Sequence, residues 1–425
     1  MKQFVNYLKQ KIVQYKILIE NFSSLTLFQL INLSIPLITY AYLIRVLGIE
    51  KYGLVVFAQA VVGYLLIFVQ FGFNISATKE ISIYRDNKKK LSEIVSSVLI
   101  IKTILFVISL IVLICILYFM PEIEGYKLLF FLSMWICLYD LIFPVWYFQG
   151  IEKMKYIAYV TLVSRLIFVS LIFFLIKSPS DYLLVPTING IGALVAGAYS
   201  LFIIFNSHKI KFQLQSTEKL LFFFKDSIPL FISNISVKLY LSSNKVIIGS
   251  FLGMSEISYY DLGEKIVSAM KIPQNILGQT LFPKINKDRN ILFVKKVFKL
   301  TVLFNVILTL LIIIFSEQIV LVLGGKQLLP SVIVLNILAL SVPVIAMSNV
   351  FGVQLLIPFG KTKLFSKIIV SSGLIYLIQL LIIWLLGNIN IYSLSIITVI
   401  TEISVTAIMF YFCKKNNLWV MKVES

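Results

Sequence analysis

Apolar runs long enough to cross a bilayer recur between positions 24 and 413, and few folds can absorb them. A helix of about 20 such residues spans a hydrocarbon core roughly 30 Å thick. A water-soluble protein of 425 residues would also need far more surface charge than the 13% present here. The chain therefore reads as an all-α integral membrane protein. Twelve helices are predicted, over residues 24–47, 53–73, 95–119, 128–149, 156–176, 183–206, 223–250, 256–283, 299–316, 330–358, 363–386 and 391–413. Pro343 and Pro358 are placed to kink or end the tenth.

The net charge of +19 would suit nucleic acid if it were clustered, but it is not. Most of the Lys and Arg flank apolar spans: in the N-terminal arm, near 74–94, 150–155, 207–225, 284–299 and 359–367, and in the C-terminal tail. Only Lys51, Lys127, Lys177 and Lys326 fall in the opposite set of loops. That asymmetry predicts a multi-pass protein with both termini in the cytoplasm. No cleavable signal peptide is evident, so the first span is expected to serve as the insertion signal. No loop is long enough for a folded domain. The segment 74–94 has the pattern of a short amphipathic helix lying on the inner membrane surface. Cys115, Cys137 and Cys413 lie in or beside apolar spans without metal-ligand spacing, and read as packing residues.

The informative residues are the ions left inside the spans: Arg45, Lys102, Arg165, Lys238, Lys245, Lys265 and Lys271, with the acids Asp140, Asp226, Asp261, Glu264 and Glu402. An ion at the centre of a spanning helix costs roughly 2.5–3.5 kcal/mol on insertion scales, so such residues usually face a partner or a water-filled path. Counting helical rise from the cytoplasmic ends places Lys102 roughly 11 Å deep, and Asp140 and Arg165 roughly 13 Å. Lys238, Lys271 and Glu402 come out roughly 16–18 Å deep, near the midplane. Lys245 and Lys265 lie in the outer leaflet, and Arg45 and Asp261 near the outer ends.

Structural readings compete with functional ones at several of these positions. Arg45 is placed either to snorkel to the outer interface or to line a path. Asp261 and Lys265 are spaced i,i+4 and can pair with each other. Lys102 and Asp140, on consecutive helices at similar depth, suit an ion pair as well as a site. Lys238, Lys271 and Arg165 have no acid at helical spacing. Lys238 and Lys245 are seven apart and share a helix face. Asn234, Ser236, Tyr240, Ser242, Ser243, Asn244, Tyr259 and Tyr260 add polar groups nearby, which serve either sugar binding or helix–helix contact. Cations outnumber acids, which suits an anionic cargo bearing phosphate. Asp140, Glu264, Glu402 and Asp261 are candidates for carrying a coupling H+ or Na+, or for pairing.

Signals of catalysis are lacking. The one histidine, His208, reads as a solvated loop residue beside Lys209. There is no phosphate-binding glycine loop of an ATPase and no Cys/His cluster for a metal. An enzyme is thus not expected, nor a cofactor beyond H+ or Na+ coupling.

A weak internal repeat runs through the chain. Leu47-Gly48-Ile-Glu50-Lys-Tyr52 matches Leu252-Gly253-Met-Ser-Glu256-Ile-Ser-Tyr259, and Phe148-Gln149-Gly150-Ile-Glu-Lys153 matches Pro358-Phe359-Gly360-Lys361-Thr-Lys363. Both offsets are near half the chain. A parallel pseudo-repeat is predicted, with a six-helix bundle over 1–208 and another over 209–425.

Arg45-Val-Leu-Gly-Ile-Glu-Lys-Tyr-Gly53, Phe71-Gly-Phe-Asn-Ile-Ser-Ala-Thr78, Trp146-Tyr-Phe-Gln-Gly-Ile-Glu-Lys-Met154, Ser243-Asn-Lys-Val-Ile-Ile-Gly249, Tyr259-Tyr-Asp-Leu-Gly-Glu-Lys265 and Gln354-Leu-Leu-Ile-Pro-Phe-Gly360 appear in that order. Together they resemble the polysaccharide transport family, the Wzx-type O-antigen and capsule repeat-unit flippases. These belong to the multidrug/oligosaccharidyl-lipid/polysaccharide exporter superfamily. The resemblance implies a V-shaped, alternating-access transporter of the bacterial cytoplasmic membrane. Its cargo would be an oligosaccharide repeat unit on undecaprenyl diphosphate, destined for O-antigen of lipopolysaccharide, capsule or exopolysaccharide. It also implies a cationic cavity, to which Lys238, Lys271, Arg165, Lys245, Arg45 and Lys102 are the candidates. Implied partners are the bilayer and the polysaccharide polymerase and glycosyltransferases of the same pathway, with no nucleic acid. The alternative is a cation-coupled multidrug exporter of the related extrusion family. That reading predicts a buried acid in the first helix, where this chain has none.

Overall fold

The computed structural model describes the backbone of residues 2–419. It describes their side chains too, except most of those before residue 37 and those at 121, 122, 237, 239–241, 279, 280, 283 and 284. The arm that precedes the first span, Tyr240 and the C-terminal tail beyond 419 thus lie wholly or partly outside the described residues. The described chain is helical throughout and contains no strand.

Among the described residues, nine helical segments are long and apolar enough to cross a bilayer, not the expected twelve. Lys2–Gln70 is two helices joined at Gly48, whose φ and ψ are non-helical, in keeping with the first two expected helices; the two enter that number together as one apolar stretch, Leu37–Ile83. The expected seventh, Thr217–Phe251, carries Lys238 and Lys245 and includes positions 237 and 239–241, whose side chains lie outside the described residues, so it is not among the nine. The expected eighth breaks at Lys271 into Met254–Met270 and Ile272–Asp288. Pro273 sits in the first turn after the break, where its missing N–H costs nothing. The expected fourth helix is three short pieces, Lys127–Ser133, Trp135–Ile142 and Val145–Gly150, the last starting after Pro144.

Local chemistry sets the ends. Asn87 and Asn290 cap Lys88–Phe119 and Ile291–Ile314 by accepting from Lys90 N–H and Phe293 N–H. Asn390 and Ser393 form a capping box that starts Ile391–Lys415. Hydroxyls within the apolar helices, such as Ser97, Ser133, Ser200 and Ser395, donate to the carbonyl four residues earlier. This satisfies them where lipid offers no partner. Whole rows of apolar side chains face outward, among them Ile104, Val107, Ile108 and Ile111 on Lys88–Phe119. In water such a face would be a liability; in lipid it costs nothing.

The chain divides into two compact units, one of residues 1–42 and 61–231, the other of 43–60 and 232–425. This differs from a cut at 208 in two places, each with a visible cause. Residues 43–60 pack on Met254–Met270: Ser258 Oγ donates to the carbonyl of Ile49 over 2.5 Å. The start of Thr217–Phe251 belongs with the first unit, where Ser227 Oγ meets Ser76 Oγ at 2.7 Å and Phe224 and Phe231 stack on Phe71.

In the first unit the core gathers Phe71, Phe73, Ile94, Val98, Trp146, Tyr147 and Phe148. Of the amphipathic helix expected over 74–94, only Phe73–Ile83 forms as a separate helix, burying Phe73, Ser76, Ala77 and Ile81, while residues 88–94 open the next helix, Lys88–Phe119. The neighbour of Phe73–Ile83 is Val145–Gly150. Trp135–Ile142 and Met154–Leu175 both pack on Leu184–Phe202. In the second unit the core gathers Val350, Phe351, Leu355, Val405, Met409 and Cys413. There Met254–Met270 packs on Ser331–Ala339, and Thr362–Leu385 on Ile391–Lys415. The stretch Val350–Leu356, just before Pro358, is wound as a π-helix, the device that ends this span.

The repeat predicted from Gly48 and Gly253 has a conformational counterpart. Gly48 has φ 76° and ψ 166°, and Gly253 has φ 111° and ψ 168°. Both occupy the region open almost solely to glycine, and both join two helices.

Candidate functional site

Asp261 anchors the charges of the second unit. It is 1% exposed and accepts from Lys245 at 2.7 Å, from Tyr52 at 2.9 Å and from Lys265. Lys245 reaches a second acid, Glu264, at 2.5 Å. Lys265 also donates to the Tyr52 hydroxyl at 2.6 Å. Removing an ion from water costs several kcal/mol unless partners restore its contacts. Two lysines and two carboxylates do so here, and the group is neutral as a whole. Asp261 and Lys265 form the i,i+4 pair anticipated from their spacing. Lys245, expected to extend a cationic face, is instead the bridge between two acids.

Lys238 and Lys271 are placed differently. Among the described residues neither has a carboxylate within ion-pairing distance. Lys238 is exposed within the unit, and its electrostatic neighbours are Glu264 and Lys245. Lys271 sits at the helix break and senses Glu402 and Glu264. Glu402, on Ile391–Lys415, is 6% exposed and has Lys271 as its opposing charge. Four lysines of this unit therefore face three acids: Lys238, Lys245, Lys265 and Lys271 against Asp261, Glu264 and Glu402.

A polar knot lies beside them. The Asn244 amide donates to the Tyr260 hydroxyl at 2.7 Å, Thr398 Oγ1 at 2.8 Å and the Leu394 carbonyl at 3.2 Å. It accepts from the Tyr376 hydroxyl at 2.6 Å. Asn244 is 1% exposed, so this knot joins four helices and is not a sugar contact. Arg45 donates to the Val322 carbonyl at 2.6 Å, near the end of Ser316–Gly324, where a cation complements the helix dipole.

In the first unit Lys102, though a lysine, is 0% exposed. Its Nζ lies 2.6 Å from Asp140 Oδ2 and 2.8 Å from the Asp140 carbonyl oxygen. Gln70 donates to the other carboxylate oxygen at 3.1 Å. Beside this pair is a cavity of about 200 Å3 whose polar lining is Gln70, Asp140, Thr161, Ser164, Arg165 and Asn189. Arg165 lines this cavity, whereas Lys102 does not. Trp135, also on the wall, has an indole N–H with no hydrogen-bond acceptor among the described residues.

The sequence pointed to the ions but not to the neutral groups that tie them. Tyr52, Gln70, Tyr376 and Thr398 were not singled out. Tyr52 stood in the repeat, opposite Tyr259, and that was the available signal. Among the described residues no cluster of His, Cys, Asp and Glu suits a metal.

These features have counterparts among known proteins. A multidrug resistance MATE family transporter of the MOP superfamily, in an inward-facing conformation, superposes with TM-score 0.75 at 13% identity, covering 95% of this chain and 100% of that one. The lipid II flippase MurJ, inward closed, superposes with TM-score 0.69 at 16% identity, covering 91% and 87%. At such identities these likenesses fix the fold alone: a multi-pass, all-helical membrane protein of the MATE and MurJ type.

The family follows from sequence. The model described as polysaccharide biosynthesis protein matches residues 18–287, and the chain belongs to that family. A protein of Escherichia coli (strain K12) named "Putative O-antigen transporter" is 30% identical over 398 residues, 92% of this chain and 95% of that protein. One of the same name from Shigella dysenteriae is 26% identical over 352 residues, 82% and 88% of the two.

Proposed function

We propose that this chain is a transporter, not an enzyme, and that it carries a lipid-linked oligosaccharide repeat unit across the bacterial cytoplasmic membrane. The products would feed O-antigen, capsule or exopolysaccharide assembly. The names of the two relatives support the cargo class. The observation that carries the residue assignment is the lysine surplus of the second unit. Lys245 and Lys265 are committed to Asp261 and Glu264. Lys238 and Lys271 remain as the cations for a polyprenyl diphosphate such as undecaprenyl diphosphate. Arg165 is the corresponding cation of the first unit, in its own cavity.

The membrane potential assists such export. Moving negative charge to a positive exterior gains about 2.3 kcal/mol per charge per 100 mV. Glu402, buried and opposed by Lys271, is the acid best placed to exchange H+ or Na+ against cargo. The Lys and Arg bias of the loops supports cytoplasmic termini. The pathway's polymerase and glycosyltransferases are the implied partners.

A strain lacking the gene and carrying Lys238→Ala or Lys271→Ala, each expressed at the normal level, tests this. Lipid-linked repeat units should accumulate on the inner leaflet while surface polysaccharide falls. Export at the wild-type rate by both variants would refute the assignment.

A further inference from the structure

A second basic site lies at one end of the first unit, apart from the intramembrane ions. The chain reverses there twice through left-handed residues that are not glycine, Glu152 and Lys209, each with φ 57°. The reversals are closed by Lys153 N–H donating to the Phe148 carbonyl and His208 N–H to the Ile203 carbonyl, both at 2.9 Å. They set the side chains of Lys153 and His208 together. His208, expected to be a solvated loop residue, is half-buried against Tyr147 and Tyr156.

The tautomer is assigned from the chemistry of its neighbours. Lys153 Nζ lies 3.4 Å from His208 Nε2, and Tyr147 OH lies 3.0 Å from Nδ1. An ammonium only donates, so Nε2 accepts and Nδ1 carries the proton to the tyrosine oxygen. The imidazole is therefore neutral, flanked by a cation. Burial and the charges of Lys153 and Lys88 together hold its pKa below the ordinary value of 6.5.

The surrounding pocket, about 340 Å3, is lined by Arg85, Asp86, Lys88, Tyr147, Lys153 and His208 among others. Arg85 is engaged by Glu152 at 3.1 Å and by Asp86 at 3.9 Å. Among the described residues no carboxylate pairs with Lys88 or Lys153. Two uncompensated ammonium groups and an imidazole thus converge on one concavity, with buried Tyr147 as its floor. Cationic donors converging in this way recognise an oxyanion of more than one charge.

We propose that this pocket binds a phosphate-bearing headgroup, with Lys88 and Lys153 as counter-charges and His208 as a third donor once protonated. The bound anion offsets the two lysines, so the imidazole takes up a proton as the anion arrives. The pocket is roomy enough for more than one phosphate. A diphosphate carrier and an anionic phospholipid present the same chemistry. Binding here does not depend on the transport reading, since it is measured without transport.

The sequence holds a single histidine, which makes the test site-specific. The full chain, free of any histidine tag, is labelled with 13C,15N-histidine and placed in phosphatidylcholine nanodiscs. The His208 titration is followed by NMR alone, with inorganic pyrophosphate, and in nanodiscs containing phosphatidylglycerol. An upward shift of the midpoint by about one unit or more with pyrophosphate identifies a diphosphate site. The same shift with phosphatidylglycerol alone identifies a lipid headgroup site. Lys88→Gln and Lys153→Gln, separately, should abolish the ligand-dependent shift, and exposed Lys88 can be replaced without touching the core. A midpoint unmoved in both arms overturns the proposal, as does a shift that survives both substitutions.

Discussion

Lys245 bridges to Asp261, its Nζ 2.7 Å from Oδ1, and this pair turns the expected run of cations in the second unit into a closed network. Asp261 has no water to fall back on, being 1% exposed. Its two lysines and Tyr52 are its whole environment of compensating charge and donors among the described residues.

Asp261→Asn should therefore be costly, because it leaves Lys265 without its carboxylate and Lys245 with Glu264 alone. Breaking a buried pair from one side costs about 3–5 kcal/mol. Tyr52→Phe removes one hydroxyl from the same network and should cost only about 1 kcal/mol. Thermal unfolding of the purified protein in detergent orders the two. Equal melting points for Asp261→Asn and wild type would show the network to be dispensable.

Lys102 and Asp140 allow a sharper comparison. Lys102→Met alone leaves a partly buried carboxylate whose remaining donor is Gln70. Asp140→Asn alone leaves a fully buried ammonium. Each should destabilise by about 3–5 kcal/mol, whereas the double variant should recover most of the loss. A double-mutant cycle on unfolding midpoints checks it. If the two single costs simply add, the pair is not coupled.

How far these networks were legible depended on what holds each residue. Lys238, Lys271 and Arg165 stood out because an ion in an apolar run is anomalous whatever surrounds it. The pairing of Asp261 with Lys265 was readable from i,i+4 spacing. The partners of Lys245 were not, since Asp261 and Glu264 lie on another helix and the contact depends on how the two pack. The same holds for Asn244, whose donors and acceptors come from three helices. Hydropathy places a boundary between the first two helices, and Gly48, with non-helical φ and ψ, is that boundary. It does not see that Lys271 and Pro273 divide a helix that looks continuous.

His208 gives the protein a pH dependence of known sign. Its folded-state pKa lies below 6.5 because burial, Lys153 and Lys88 all oppose its charged form. The unfolded chain therefore binds the proton more readily. The contribution of this group is fully present above pH 6.5 and is lost as pH falls toward the folded-state value. His208→Asn should flatten that part of the stability profile below pH 6.5. Denaturation midpoints of both proteins across this range test it. An unchanged slope in the variant would place the acid sensitivity elsewhere.

The repeat makes its own prediction at Gly53. A Cβ there would lie 1.8 Å from the carbonyl oxygen of Met254, so backbone and not a flexible side chain would have to yield. This close approach seats residues 49–53 against 254–258, the two segments that follow Gly48 and Gly253. Gly53→Ala should cost about 1–3 kcal/mol, the range for overpacking a filled site. Gly63, on the same helix, has nothing within 4 Å of its would-be Cβ. Gly63→Ala should therefore be neutral or stabilise by about 1 kcal/mol through helix propensity alone. Comparing the two alanine variants in one unfolding assay separates packing from propensity. Matching effects at both positions would mean that the close approach of the two repeat segments does not constrain the fold.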